Sequence, residues 1–189
     1  MFNWLFSALF RLFGWRIDGK FDYSLKKGML IVCPHASWVD FPVGVGARAS
    51  LGVKMGYWGK AELFKPPFGW FFRALGGFPV DRSKSNNLVD GIAKIFNTQE
   101  ELFMVITPEG SRKDVEKLKT GFYYVALQVS IPVIMVGFDY PGKKVVLAAP
   151  LYLTGDFDKD MGAIARFYST IGGVQKSWIK NYLETAKSK

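Results

Sequence analysis

Three short runs constrain this chain most: GMLIVC (28–33), LFMVI (102–106) and IPVIMVGF (131–138). Each is almost wholly apolar and rich in β-branched residues, and each is shorter than a buried helix usually is. A strand with one face in water alternates apolar and polar residues, whereas a strand covered on both faces has no polar side to show. The runs therefore predict strands from the middle of a sheet covered front and back. VKMGYW (53–58) and KVVLAA (144–149) read as further strands. Helical segments separate them. Leu88, Ile92, Ile95 and Phe96 fall on one face of NNLVDGIAKIF (86–96), and GFYYVALQV (121–129) reads as helical. Residues 158–187 are predicted helical, with Asp158 or Asp160 near the first turn and lysines at the end. The alternation predicts a single-domain α/β fold, a largely parallel or mixed sheet flanked by helices.

A chain of 189 residues suits one domain with a real core. With 49% hydrophobic residues it has enough apolar surface to offset the entropy of ordering, which excludes disorder. Cys33 is the only cysteine, so neither an intrachain disulfide nor a cysteine-based zinc cluster is available. With one histidine besides, a metal site would have to be built from carboxylates, and neither metal nor cofactor is expected. The formal net charge of +9 favours an anionic partner: nucleic acid, a phospholipid surface, or a phosphorylated or CoA-type substrate. The chain has no basic helix and no RNP-like aromatic strand, which argues against nucleic acid.

The N-terminal stretch MFNWLFSALFRLFGW discriminates further. Its polar and small residues Asn3, Ser7, Arg11 and Gly14 recur at steps of four, four and three, one narrow stripe on a helix. The rest of the helix surface is apolar, and includes Phe2, Trp4, Leu5, Phe6, Leu9, Phe10, Leu12, Phe13 and Trp15. At about 15 residues it is shorter than the ~20 needed to span a bilayer. It carries neither a basic n-region nor a small-residue cleavage site. Two readings remain: a helix lying in the membrane interface, or one packed on the protein's own core. The width of the apolar face favours the first. Residues 1–20 are thus predicted to be a membrane-interface helix, with the domain proper at 21–189.

CPHASWVD (33–40) holds the only histidine, His35, with Asp40 five positions on. Within one helix, five steps of about 100° leave side chains about 140° apart, so the two cannot share a helical face. Ser37 followed three residues later by Asp40 is a capping-box pattern, Ser at N-cap and Asp at N3. His35 then lies in the turn before the helix, where its ring can swing back to Asp40. A carboxylate on one ring nitrogen fixes the tautomer and raises the basicity of the other, so the pair could take a proton from a hydroxyl nucleophile. On spacing alone, a structural histidine beside a capping aspartate is the commoner arrangement.

TPEGSRK (107–113) follows another predicted strand. Gly110 permits close backbone approach or φ > 0, and Ser111 offers a hydroxyl. Arg112 offers a planar fork suited to phosphate, and Glu109 can bond a hydroxyl or hold a basic side chain. The same residues also suit a solvated loop. GGFPVDRS (76–83) adds Arg82 at the end of a short extended segment. LFKPPFGWFFRALGGF (63–78) sets Lys65 and Arg73 among aromatics and reads either as an apolar rim beside a site or as core. No G-x-S-x-G elbow is present, which argues against a serine hydrolase.

PHASWVD, GGFPVDR, TPEGSRK and IPVIMV come in the order and approximate spacing of the four sequence blocks of the glycerolipid acyltransferases, and the chain resembles the bacterial 1-acyl-glycerol-3-phosphate acyltransferase family over residues 28–170. The resemblance implies an α/β acyltransferase domain at 21–189, working peripherally at the cytoplasmic face of an anionic membrane. His35 matches the catalytic base and Asp40 its partner. Arg82, Glu109, Gly110, Ser111 and Arg112 match blocks associated with binding the glycerol-phosphate part of the acceptor, and Pro132 falls in the fourth block. The implied partners are an acyl-CoA or acyl-carrier protein donor and a lysolipid acceptor such as lysophosphatidic acid. Pro34 stands where the family usually has Asn, Thr107 where Phe is common and Ser111 where Thr is common. The first departure leaves open another acceptor, such as an amino-acid lipid. A non-catalytic membrane-binding protein on the same fold is the reading from a different class.

Overall fold

The apolar runs do occupy the middle of a sheet. The computed structural model of the chain describes residues 3–80, 88–173 and 175–187. Its strands are β1 (Arg16–Asp18), β2 (Lys27–Cys33), β3 (Met55–Lys60), β4 (Gly77–Val80), β5 (Leu102–Ile106), β6 (Val133–Asp139) and β7 (Lys144–Leu147). They pair in the order β1-β7-β6-β2-β5-β3-β4. All neighbours run parallel except β6 and β7, so the sheet is largely parallel with one antiparallel pair.

Helices cover both faces: α1 (Asn3–Leu12) and α2 (Asp40–Leu51) on one, α4 (Leu88–Thr98), α5 (Gly121–Gln128), α6 (Phe157–Ser169) and α7 (Ser177–Lys187) on the other. Alternate residues of β2 feed the two cores. Met29, Ile31 and Cys33 join Phe96, Phe122, Ile164 and Trp178, while Leu30 and Val32 join Phe10, Val43 and Ala47. Burying each large apolar side chain contributes about 1.5–3 kcal/mol, which is why these runs tolerate no polar face. A short 3₁₀ turn (Ala61–Phe64) and α3 (Gly69–Ala74) connect β3 to β4.

Four features depart from expectation. The predicted helix over 158–187 is two helices, α6 and α7, broken at 170–176, where Gly173 takes φ +104°. Residues 16–18, grouped by sequence with the N-terminal helix, are an edge strand hydrogen-bonded in the sheet to β7. The capping box is shifted, because α2 begins at Asp40 itself and its cap residue Val39 makes no side-chain cap bond. Ser37 Oγ instead accepts from the Val39 N–H at 3.2 Å, one residue short of the expected position.

The fourth concerns α1. It packs on α2, with Phe10 (5% exposed) against Gly46, where a Cβ would come within 2.8 Å of the Phe10 ring stem. Ser7 and Ser50 hydroxyls share a hydrogen bond of 3.0 Å, so part of the polar stripe faces the protein. Trp4, Leu5, Leu9, Leu12 and Phe13 point outward and are exposed. No described helix is long and apolar enough to cross a membrane.

Candidate active site

β2 and β5 are adjacent and parallel, so the loops after their carboxyl ends leave the sheet side by side. Ligand sites of open α/β sheets collect there. The first loop carries His35 and the second Glu109, and the His35 N–H donates to Glu109 Oε2 at 3.0 Å. His35 Nδ1 lies 2.7 Å from Asp40 Oδ2. That same oxygen accepts from the Ala36 N–H at 2.9 Å and the Ser37 N–H at 3.1 Å. The last of these is the return bond that a capping box predicts, made from the first residue of α2 rather than its third. Asp40 is buried, and its Oδ1 has no hydrogen-bond partner among the described residues.

An ionised Asp40 accepts only, so His35 Nδ1 carries the proton toward it and Nε2 keeps its lone pair. Nε2 has no hydrogen-bond partner among the described residues, and the His35 side chain is 22% exposed. The two residues paired from the sequence are therefore brought together, with the His35 side chain part-exposed. Cys33, just before the loop, offers no competing nucleophile: it is fully buried, and burial pushes its thiol well above the ordinary range.

Glu109 sits beneath both loops, 2% exposed. Its Oε1 accepts from the Trp178 indole N–H at 3.0 Å, and its Oε2 takes the His35 N–H and lies 3.5 Å from the Lys176 ammonium. Burial raises the Glu109 pKa, while the bonds from Trp178 and His35 and the charge of Lys176 pull it back. Both oxygens are thus engaged by the protein. Lys176 also donates to the carbonyls of His35 (3.2 Å), Arg112 (3.0 Å) and Lys113 (3.2 Å). The start of α7 is anchored to the second loop as well, since Ser177 donates its N–H and hydroxyl to Asp114 and the Trp178 N–H donates to the Val115 carbonyl.

Gly110 takes φ +64° in the second loop, a backbone conformation that favours glycine, while a Cβ there would meet only the flexible end of the Lys119 side chain. Ser111 Oγ accepts from the Lys113 N–H at 3.0 Å. The Arg112 side chain is exposed. Arg82 lies outside the described residues.

The 63–78 segment divides between the two readings made of it. Phe64 and Leu75 are buried, whereas Leu63, Phe68, Trp70 and Phe78 are exposed. Phe41, next to Asp40, stacks edge-on against Tyr57 and Phe72, so the aromatic segment abuts the first turn of α2. Trp38, in the His35 loop, is 71% exposed. Arg73 is exposed but tethered: it donates to the Phe64 carbonyl at 2.9 Å and its guanidinium lies 5.5 Å from that ring.

Sequence reasoning missed Lys176 and Trp178. Lys176 is one of 25 lysines and arginines and sits in no block. The one usable signal was Gly172-Gly173, which marks a break in the helical reading and so a loop able to reach the site.

A largely parallel α/β sheet with helices on both faces carries a His–Asp pair and, on the neighbouring loop, a glycine followed by basic residues. The model of the family described as Acyltransferase matches residues 16–139, and the chain belongs to that family. It is 28% identical over 151 residues to a 1-acyl-sn-glycerol-3-phosphate acyltransferase of Streptococcus pneumoniae, covering 75% of this chain and 55% of the relative. It is 27% identical over 127 residues to the Saccharomyces cerevisiae protein of the same name, covering 59% of this chain and 38% of the relative. The matches thus span about half the length of these relatives or less. The crystal structure of the 1-acyl-sn-glycerophosphate (LPA) acyltransferase PlsC from Thermotoga maritima superposes with a TM-score of 0.54 at 17% identity, over 98% of this chain and 75% of that one, and shares the fold.

Proposed function

We propose that the chain transfers an acyl group from a thioester donor, acyl-CoA or acyl-carrier protein, to the hydroxyl of a lysophospholipid such as lysophosphatidic acid. One observation carries this reading: His35 Nδ1 is held at 2.7 Å by a buried carboxylate, while Nε2 has no partner among the described residues and the side chain is part-exposed. Nε2 accepts the proton of the acceptor hydroxyl as its oxygen attacks the thioester carbonyl carbon. The tetrahedral adduct collapses with cleavage of the C–S bond, and the departing thiolate takes the proton from His35. Asp40 holds the tautomer and stabilises the imidazolium that forms between the two transfers. No acyl-enzyme is required.

Arg82, Ser111, Arg112 and the backbone at Gly110 are the groups we assign to the acceptor phosphate. Glu109 enters this reading as the residue that joins the two loops, since both its oxygens are already occupied. Residues 1–20 serve as an interfacial element on the 21–189 acyltransferase domain, peripheral at the cytoplasmic face, where thioester donors are found. The exposed Trp4, Leu12 and Phe13 of this element support that placement, and the net charge of +9 suits an anionic surface.

The deciding experiment is acyl transfer by His35→Ala, assayed with lysophosphatidic acid and either donor, with circular dichroism to verify folding. Activity should fall by about 10²–10⁴, the usual worth of a general base. A folded variant within about tenfold of wild type rules out His35 as the base.

A further inference from the structure

We propose that Lys176, from the break between α6 and α7, is a positioning residue for acyl transfer, locking the His35 loop and the Arg112 loop into one register. The inference rests on the reading of His35 as the base. An ammonium has three N–H donors, and Lys176 spends them on three carbonyls from two loops, His35 on one and Arg112 and Lys113 on the other. It does so almost fully buried, 5% exposed, with Glu109 at 3.5 Å as its counter-charge. A lysine serving only to neutralise Glu109 has no need of those carbonyls.

The backbone of His35 is consequently gripped from both sides, its N–H by Glu109 and its C=O by Lys176, while Asp40 holds the ring. Two of these three holders come from elements far from His35 in the chain, 74 and 141 residues away. Arg112 is treated likewise. Its carbonyl is drawn inward onto Lys176 while its side chain is exposed, so the same ammonium holds the His35 backbone and sets the outward facing of the Arg112 cation. Displacement of reacting groups by about 1 Å can cost 10²-fold in rate, so loss of this tie registers in kcat.

The test compares Lys176→Met, Glu109→Gln and the double variant. The double variant leaves no uncompensated buried charge, so it folds even if Lys176→Met does not. Three quantities are read: melting temperature, steady-state kcat and KM for lysophosphatidic acid, and the imidazole ¹⁵N–¹H spectrum. With a single histidine in the chain, that spectrum reports His35 alone. The expected result is that the double variant, with no buried charge left unpaired, melts at or above Glu109→Gln, yet keeps a kcat about 10²-fold below it. Its Nδ1–H resonance should broaden or move as the contact with Asp40 loosens. Recovery of kcat to the Glu109→Gln level, with an unchanged Nδ1–H signal, overturns the proposal and reduces Lys176 to a counter-charge. The spectrum requires no turnover, so it judges Lys176 even if His35→Ala proves active and the proposed function fails.

Discussion

Replacing Asp40 by asparagine keeps the size of the side chain and removes its charge. Asp40 Oδ2 accepts three bonds in the native site, from His35 Nδ1 at 2.7 Å, Ala36 N at 2.9 Å and Ser37 N at 3.1 Å. An asparagine can turn its carbonyl oxygen to the two backbone donors, but a neutral acceptor makes weaker bonds than an ionised one. Hydrogen bonds to charged groups contribute about 1.5–3 kcal/mol against about 1 for neutral pairs. The two backbone bonds alone thus predict a loss of roughly 1–4 kcal/mol in stability. The catalytic loss is larger. The asparagine amide group can donate to Nδ1, which stabilises the tautomer with its proton on Nε2, the atom that must be empty. Such a tautomer error costs about 10⁴ in kcat in the best-studied His–Asp pair, or about 5.4 kcal/mol at 1.36 per decade. The assay is thiol release from acyl-CoA with lysophosphatidic acid in mixed vesicles, run beside a thermal melt. A melting shift accompanied by a kcat within about fivefold of wild type would refute the orienting role, since base catalysis is worth at least about 10².

Three further outcomes are expected. Burial raises the Glu109 pKa above its ordinary 4.5, so the native state holds that proton more tightly than the unfolded chain and stability falls as pH rises through the window from 4.5 to the raised value. Glu109→Gln removes this slope, so urea midpoints should shift in favour of the variant as pH climbs through that window; a shift the other way contradicts the burial argument. Gly110→Ala forces a Cβ into φ +64°, which predicts a loss of about 1–2 kcal/mol in a denaturant melt. Substituting Trp4, Leu12 and Phe13 together by serine should abolish binding to anionic liposomes with little change in melting, whereas Phe10→Ala should cost about 3–5 kcal/mol of stability, because Phe10 is core. Undiminished liposome binding by the triple variant would show that α1 is not the membrane contact.

The central strands were legible because burial on both faces of the sheet leaves a local mark: β2, β5 and β6 read as apolar runs, and the helical period of α4 is plain. Of the edge strands, β4 was legible only as a short extended segment within 76–83, and β1 was not legible as a strand. With one neighbour each, at three and four residues, their pairing is decided by the partner rather than by their own composition. α2 shows why local propensity misleads. DFPVGVGARASL carries Pro42, Gly44 and Gly46, poor residues for a helix by themselves, yet Pro42 falls in the first turn where proline is tolerated. Gly46 is the close-approach point for Phe10.

The sequence by itself determined the α/β class, the His35–Asp40 pair and the order of the four blocks, because each depends on residue type and on spacing within a few positions. Only the tertiary structure decided what holds the site together. It turned Glu109 inward, drew Arg73 onto a carbonyl, buried Phe10 and Trp15 of the apolar N-terminal stretch, and brought Lys176 and Trp178 to the loops of His35 and Glu109. The Arg73 bond spans nine positions, and the other outcomes rest on contacts between residues tens of positions apart or more. A lysine bonded to three distant carbonyls leaves no pattern in its own neighbourhood, so its role appears only once β2, β5 and the start of α7 are packed together.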